Sequence, residues 1–326
     1  MPTGKKGRKK RMKKIATLCI LLTLSGLLAC ATTGSTRYRE DDNTGQDVGL
    51  TVQDEIRLTE EALPQMRKDY PAAKNAELQK YIENLGQKIV KANKLDGQPY
   101  RYTFTAVDVE DVNAFALPAG QVFVTAPLIA MASNEAELAG VVSHEIGHIM
   151  ARHTAERMYA MEKAQNKTWL YTAGGGVVGA AAGYGLGRVL CKEGDTACLA
   201  TAAAIGGAAG AVGGLFVQKY TFMANSREDE MEADRVGFRL AVGAGYDKDQ
   251  VGKFYEKLLD AEKAGRSGGG VLRSLSDAMS THPPCEERVK QMKELAGSQP
   301  ASRNALLTTP AFNRARQISL GMQKKS

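Results

Sequence analysis

An apolar helical stretch in the middle of the chain contains the string His144-Glu145-Ile146-Gly147-His148. Two histidines four residues apart lie on one face of an α-helix, one turn apart, so both imidazoles can reach a single Zn²⁺ ion. Glu145 can then sit beside the open position of the metal and take a proton from water. The string therefore predicts a metal site on a helix. The alternative, a chance pentapeptide on a charged helix, is disfavoured by a matching acidic helix downstream.

The residues before and within this string agree with a helix. Asn134 suits the N-cap position, and Glu137 follows three residues later as in a capping box. Apolar residues then recur at roughly helical spacing. They are Leu138, Val141, Val142, Ile146 and Ile149.

A second helix start, at residues 225–234, offers candidates for a further metal ligand. Ser226 can cap this helix, and acids crowd its first turn, where the helix dipole favours them. Helix capping alone would explain those acids. However, Glu230 and Asp234 fall on one face, so one could bind zinc while the other orients a zinc-bound imidazole. Chemistry alone does not choose among the acids of this segment, which are Glu228, Asp229, Glu230 and Glu232.

The N-terminus has the features of a targeting segment. Residues 1–14 carry eight positive charges and no acid, and the apolar stretch 15–28 is too short for an ordinary spanning helix. Leu27-Leu28-Ala29-Cys30 resembles a bacterial lipobox, in which the cysteine is lipidated. We favour this reading over an uncleaved anchor because a small residue precedes the cysteine and a polar tether follows. We expect a signal peptide over residues 1–29 and a tether over residues 30–49.

This assignment places the mature chain in the bacterial envelope. Ala31 is not an aspartate, so nothing here signals inner-membrane retention, and we expect attachment to outer-membrane lipid through Cys30. The net charge of +7 comes from the basic residues 1–14, and residues 30–326 carry a net charge of −1. The mature chain therefore gives no reason to expect nucleic-acid binding.

The remaining cysteines have different expected roles. Cys191 and Cys198 bracket a short polar loop and could close a disulfide in an oxidising periplasm. Cys285 is left over, three residues after His282. A metal-binding role for Cys285 is conceivable, but we favour an unpaired thiol.

Residues 170–217 form a Gly/Ala-rich insertion with almost no charge outside the loop 192–197. Glycines recur every fourth residue, at Gly175, Gly179, Gly183 and Gly187 and again at Gly206, Gly210 and Gly214. Such spacing is typical of membrane helix pairs. The alternatives are a low-complexity insertion and a helical hairpin packed on protein. We favour membrane contact or self-association, and surface insertion over a transmembrane hairpin.

The rest of the sequence predicts an α+β fold, mostly helical with a small sheet. Helices are expected over residues 50–95, and strands over Tyr100–Val107 and Gln121–Val124 with a turn at residues 118–120. A final helix is expected to run to about Leu295. We expect one domain over residues 50–297, interrupted by the insertion, and a mobile or surface-wrapping tail over residues 298–326.

Three blocks together resemble a known family: His144–His148, Glu230-Met231-Glu232-Ala233-Asp234, and Ser280-Thr281-His282-Pro283 with Arg288. They are similar to the HExxH-plus-glutamate zinc metallopeptidases, or gluzincins. That group includes the CAAX prenyl endopeptidases, HtpX and the periplasmic BepA- and LoiP-type proteases. The lipobox places the chain nearest the lipoprotein members. The resemblance implies a zincin-like fold that acts on extended or unfolded polypeptides.

The resemblance also implies roles for individual residues. Zinc would be held by His144, His148 and Glu230, with Glu145 as general base and Asp234 supporting a zinc histidine. His282 and Arg288 would lie near the metal, where they could steady the oxyanion, or His282 could take the fourth zinc position. The strand Gln121–Val124 would pair with substrate as an edge strand. His153, by contrast, is expected to face away, because five helical residues past His148 rotate it by about 140°.

The leading hypothesis is a zinc endopeptidase that degrades misfolded or misassembled envelope proteins. A chaperone that uses the same groove only for binding is the second hypothesis, and the presence of Glu145 argues against it. A third is a glycine-zipper membrane or oligomer-forming protein in which the peptidase is accessory.

Replacing the lipobox cysteine tests the anchor. Cys30→Ala should release the chain from membranes or leave an unprocessed precursor, because this residue is both cleavage site and anchor. Membrane fractionation should compare Cys30→Ala with and without residues 170–217. Release of the double variant alone identifies the insertion as a second membrane contact, since one lipid often needs a partner signal. Retention of the double variant contradicts both anchors.

Overall fold

The computed structural model describes residues 43, 46, 49–97, 99–159, 225–266 and 275–323. These residues belong to one compact unit, residues 39–326. Cys30, the Cys191–Cys198 loop and the insertion 170–217 lie outside the described residues, so their expected roles stay predictions. The described fold is mostly helical with a three-stranded mixed sheet, which confirms the predicted α+β class.

Two helices open the described chain, as their apolar spacing predicts. Helix α1 (Val52–Asp69) begins with a capping box between Thr51 and Asp54. Helix α2 (Ala76–Ala92) is capped by Asn75, whose side chain accepts from the backbone N–H of Leu78. The apolar face of α2 is buried and packs on the first strand, β1 (Thr103–Val107).

The other two strands form a hairpin, β2 (Ala114–Leu117) and β3 (Gln121–Thr125). A 3₁₀ turn joins them, in which Ala119 and Gly120 adopt φ angles of 63° and 98°. At Gly120 a Cβ atom would also approach the carbonyl oxygen of Arg101 to 2.7 Å, so glycine is needed there.

The order of the strands contradicts the prediction that Gln121–Val124 is an edge strand. The order is β1-β3-β2, and β3 pairs with β1 in parallel and with β2 antiparallel. The family resemblance implied this edge position, and the sequence pattern could not correct it, because strand alternation reports burial and does not report which strand the chain crosses over to join.

The two outer strands differ in how their free edges are covered. Gln79 and Glu83 of α2 hydrogen-bond the backbone of β1 at Ala106 and Phe104, and Gln87 donates to the carbonyl oxygen of Tyr102, just before β1. In the part of the chain that the structure describes, no strand pairs with the outer edge of β2. The edge that could accept another strand is therefore that of β2.

The predicted helix around the HExxH string is confirmed. Thr125 caps a short helix, α3 (Ala126–Met131), and Asn134 caps α4 (Glu135–Met150) by accepting from the backbone N–H of Glu137. Helix α4 packs against β2 and β3 on one side and against α5 (Arg227–Gly243) on another. Ser226 caps α5 through a capping box with Asp229, as expected.

Helices α4 and α5 approach each other closely. A Cβ atom at Gly237 would lie 2.8 Å from the Cα atom of His144, and one at Gly147 would lie 2.9 Å from the carbonyl oxygen of Ala233. The two helices that carry the candidate ligands are therefore in backbone contact, which only glycine permits at these points.

The C-terminal half of the domain is helical. Helices α6 (Lys253–Arg266), α7 (Ser276–Thr281) and α8 (Glu286–Ser298) follow α5. The expected tail contains a further helix, α9 (Pro310–Gln323), whose Phe312 is buried against α2 and α3. The segment expected to be a mobile or surface-wrapping tail therefore includes a helix that packs on the domain. Among the described helices, none has both the length and the apolar character that crossing a bilayer requires.

The contact between α4 and α5 predicts the effect of one added methyl group. Gly237→Ala should lower the free energy of unfolding by about 1–3 kcal/mol, because the Cβ forces the two helices apart. Urea denaturation measures this change. The matched control is Gly321→Ala in α9, where a Cβ meets nothing within 4 Å. It should be neutral or stabilising by about 0.4–1 kcal/mol. Equal effects of both substitutions would contradict the tight contact.

Candidate metal centre

Helices α4 and α5 and the residue after α7 bring four ligand-type side chains together. His144, His148, Glu230 and His282 each offer one ligand atom, and these atoms lie within 4.8 Å of one another. The side chains of His144, His148 and Glu230 are almost fully buried, whereas 12% of the His282 side chain is exposed. The cluster thus opens to solvent on the His282 side.

The individual distances show a tight group. The Nε2 atoms of His144 and His148 are 3.0 Å apart, and Nδ1 of His282 is 3.3 Å from Nε2 of His144. The Glu230 carboxylate lies 3.4 Å from Nε2 of His144, 3.3 Å from that of His148 and 3.0 Å from Nδ1 of His282. Three imidazole nitrogens and one carboxylate oxygen match the donor set that zinc prefers.

The electrostatics of these residues also fit a bound cation. Burial lowers the pKa of His148 well below its usual range, and His144 lowers it further, so His148 is neutral as a ligand must be. Burial opposes a charge on His144, but Glu230 and Asp234 raise its pKa to about 9. These carboxylates therefore stabilise positive charge where zinc would bind. Although burial raises it, Arg288 and His282 hold the pKa of Glu230 well below its usual range.

Glu145 lies beside this cluster on α4. Its Oε1 atom is 3.5 Å from Nε2 of His282, and its side chain is 3% exposed. Burial raises the pKa of Glu145, and the imidazoles of His282 and His144 oppose that shift. A buried carboxyl with a raised pKa next to a metal site has the properties of a general base and acid.

Asp234 and Arg288 lie behind the cluster. The Nδ1 atom of His144 is 2.9 Å from Oδ1 of Asp234, as expected for a carboxylate that orients a zinc histidine. Arg288 binds Asp234 through two hydrogen bonds of 2.7 and 2.8 Å, and its Nη1 atom is 2.5 Å from Oε2 of Glu230. Its guanidinium also lies over the ring of Tyr255. These contacts favour a role for Arg288 in holding the two carboxylates over direct contact with an oxyanion.

His153 contradicts the expectation that it faces away. Its Nδ1 atom is 2.8 Å from Nδ1 of His148, and its side chain is fully buried. The expectation assumed an uninterrupted helix, but α4 ends at Met150 and Arg152 adopts a φ angle of 55° before a new helical segment begins at His153. The break turns His153 back towards His148.

Asn225 and Arg157 are site residues that the sequence did not indicate. The Asn225 amide donates to Oε1 of Glu230 at 2.6 Å and to the carbonyl oxygen of Thr281 at 3.2 Å, while its oxygen accepts from Arg157. Because guanidinium only donates, this contact fixes which end of the amide faces Glu230. Their only sequence signals are a polar residue just before the Ser226 cap and an arginine two turns past the metal helix, and neither is specific.

Cys285 is buried, and it is not part of the ligand group found among the described residues. Its expected state as a thiol stays a prediction.

The site and its helices define a class, the zinc metalloendopeptidases, in which a buried histidine–carboxylate centre activates water against a peptide bond. The model of peptidase family M48 matches residues 74–296, and the chain belongs to this family.

Curated relatives agree with this assignment. The chain is 28% identical over 289 residues to the β-barrel assembly-enhancing protease of Escherichia coli (strain K12). This alignment covers 88% of the present chain and 53% of the relative. It is 27% identical over 222 residues to the mitochondrial metalloendopeptidase OMA1 of Saccharomyces cerevisiae, covering 65% and 54%. The chain therefore spans about half the length of the curated relatives it matches.

The carboxylate ligand can be tested against a neighbour on the same helix. Glu230→Ala should lower zinc affinity by roughly 10²-fold or more, because one of the proposed ligands is lost and Nη1 of Arg288 loses its carboxylate partner. Glu228→Ala, in the same first turn but only partly buried, should leave zinc affinity unchanged. Zinc content after dialysis against a chelator measures both. A stoichiometric zinc ion in Glu230→Ala would contradict this ligand.

Proposed function

We propose that this chain is a lipid-anchored envelope protease that hydrolyses extended or unfolded polypeptides at a zinc centre held by His144, His148 and Glu230. The observation that carries the proposal is the juxtaposition of Glu145 with the buried ligand cluster. A binding protein would not need a buried carboxyl with a raised pKa at that point, whereas hydrolysis does.

In the proposed mechanism, the chain supplies positioning and proton transfer. When bound, zinc contributes the Lewis acidity that polarises the scissile carbonyl and makes water a nucleophile near neutral pH. The Glu145 carboxylate takes a proton from the attacking water and passes it to the leaving amine nitrogen. Asp234 holds His144 through Nδ1, and Arg288 holds both Asp234 and Glu230, so the centre does not need to reorganise during the reaction.

We propose that His282 fills the fourth ligand position at rest and withdraws when substrate enters. Two observations support this proposal. Nδ1 of His282 is 3.3 Å from Nε2 of His144, and His282 lies on the exposed side of the cluster. The second role, oxyanion stabilisation, would need His282 to donate towards substrate. Cleavage by His282→Ala distinguishes them: it should persist or rise in the first case and fall roughly 10²-fold or more in the second.

The docking strand in this proposal is β2. Among the residues that the structure describes, no strand pairs with its outer edge, and Ala116, Leu117 and Pro118 line a cleft with His148 and Thr154. An extended peptide added to this edge would run past the metal ligands, and its backbone would supply most of the contacts. Such recognition suits unfolded substrates because a folded protein does not expose a free strand.

We further propose that the substrates are misfolded or misassembled envelope proteins. The lipobox at Cys30 supports a location on the periplasmic face of the outer membrane. The name of the Escherichia coli relative, a protease that enhances β-barrel assembly, supports envelope proteins as substrates. Residues 170–217 would add membrane contact or self-association.

Loss of the proposed base provides the central test. Glu145→Gln should lower kcat/KM for an unfolded substrate such as casein by roughly 10²–10⁴-fold while zinc stays bound, because only proton transfer is lost. Glu294→Gln, which is exposed on α8, is the matched control and should keep wild-type activity. A folded substrate of similar size should resist the wild-type protein. Activity of Glu145→Gln within a few-fold of wild type would contradict the mechanism and support the chaperone hypothesis.

A further inference from the structure

We infer that His153 is a positioning residue that fixes His148 for zinc and connects it to the buried carboxylate of Glu232. This inference rests on the proposed role of His148 as a ligand. It assigns a function to the only described histidine that lies outside the ligand group.

The two HExxH histidines have different partners on the nitrogen that faces away from the metal. Nδ1 of His144 meets the carboxylate of Asp234 directly, at 2.9 Å. Nδ1 of His148 instead meets Nδ1 of His153 at 2.8 Å, and Nε2 of His153 meets Oε2 of Glu232 at 3.3 Å. His153 and Glu232 both have fully buried side chains. The Nδ1 atom of His148 is therefore connected to a carboxylate through a second imidazole.

The protons of this chain of contacts can be placed in one way. His148 must present the lone pair of Nε2 to zinc, so its proton is on Nδ1. That N–H can donate only if Nδ1 of His153 accepts, which puts the His153 proton on Nε2. This second N–H faces Glu232, a carboxylate that accepts it. The contacts with His153 and Glu232 thus select the metal-binding tautomer of His148.

The helix break makes this arrangement possible. Arg152 takes the left-handed conformation, and its side chain is held by the carboxylate of Glu55 and the carbonyl oxygen of Leu50. In a continuous helix, His153 would point about 140° away from His148. The interactions of Arg152 with α1 therefore support a conformation that costs free energy for a residue with a side chain.

The chain of contacts also has an electrostatic consequence. The Glu232 carboxylate places negative charge behind the two imidazoles, which favours a cation held by His148 on the other side. Asp229 lies 3.6 Å from Nε2 of His153 and adds negative charge on the same side. We therefore expect His153 and Glu232 to strengthen zinc binding as well as to orient the ring.

Two substitutions at residue 153 separate positioning from packing. The amide oxygen of Asn can occupy the place of Nδ1 and accept from His148, so His153→Asn should bind zinc within a few-fold of wild type. His153→Leu cannot accept, and its zinc affinity should fall by roughly 10–100-fold. At the carboxylate end, Glu232→Gln still accepts from His153 and should lose less affinity than Glu232→Leu. Competition with a chromophoric chelator measures the affinities, and thermal unfolding of the zinc-free variants reports on packing.

A spectroscopic readout does not depend on activity. The chain has only four histidines, so ¹⁵N-histidine labelling gives a simple imidazole spectrum. In zinc-loaded wild type, the Nδ1 proton of His148 should be protected from exchange with solvent, and His153→Leu should lose this protection.

The outcomes distinguish failure of this inference from failure of the proposed zinc centre. If His148→Leu binds zinc as tightly as wild type, the ligand assignment itself is wrong. If His148→Leu loses zinc but His153→Leu and Glu232→Leu bind it normally, only the positioning role is overturned. Equal zinc loss in His153→Asn and His153→Leu, with equally lowered thermal stability, would show that His153 is only a packing residue.

Discussion

Two buried carboxylates, Glu230 and Asp234, are the constraint on which the rest of the site depends. Both side chains are almost completely buried. A buried charge is costly unless it is paired and hydrogen-bonded. Arg288 supplies a buried counter-charge to both, and the imidazoles of His144 and His148 lie on the other side of Glu230. A zinc ion among these imidazoles would complete the neutralisation, so the metal and the arginine contribute to one electrostatic balance.

Backbone contact between α4 and α5 allows this balance to form. Because Gly147 and Gly237 lack side chains, the axes of the two helices come close enough for Glu230 to reach both histidines. The glycine of the HExxH string therefore has a packing role as well as a place in the motif. Any side chain at these two positions would separate the ligands that the motif provides.

The end of α4 connects the metal centre to the N-terminal part of the domain. Arg152 pairs with Glu55 of α1, and Glu55 also accepts a hydrogen bond from Tyr100. Burial raises the pKa of Glu55, while Tyr100 and Arg152 oppose that shift. This buried group stabilises the break in the helix that returns His153 to His148. Residues distant in sequence thus affect the orientation of His148, one of the proposed metal ligands.

The sequence by itself determined the helix of the HExxH string, its Asn134 cap, the Ser226 cap and the shared helix face of His144 and His148, because these depend on local spacing and hydrogen bonding. Local chemistry left several acids open as the further ligand, and only the family resemblance selected Glu230. It also located His282 and Arg288 close to the metal residues through the family resemblance. Tertiary structure alone decided that β3 is central and β2 is an outer strand among the three described strands, because a parallel crossover cannot be read from strand alternation. It alone decided the roles open to His153 and Asn225. The role of His153 depends on Arg152, whose left-handed backbone conformation is held by Glu55 of a distant helix. The role of Asn225 depends on its contact with Arg157, which is distant in sequence.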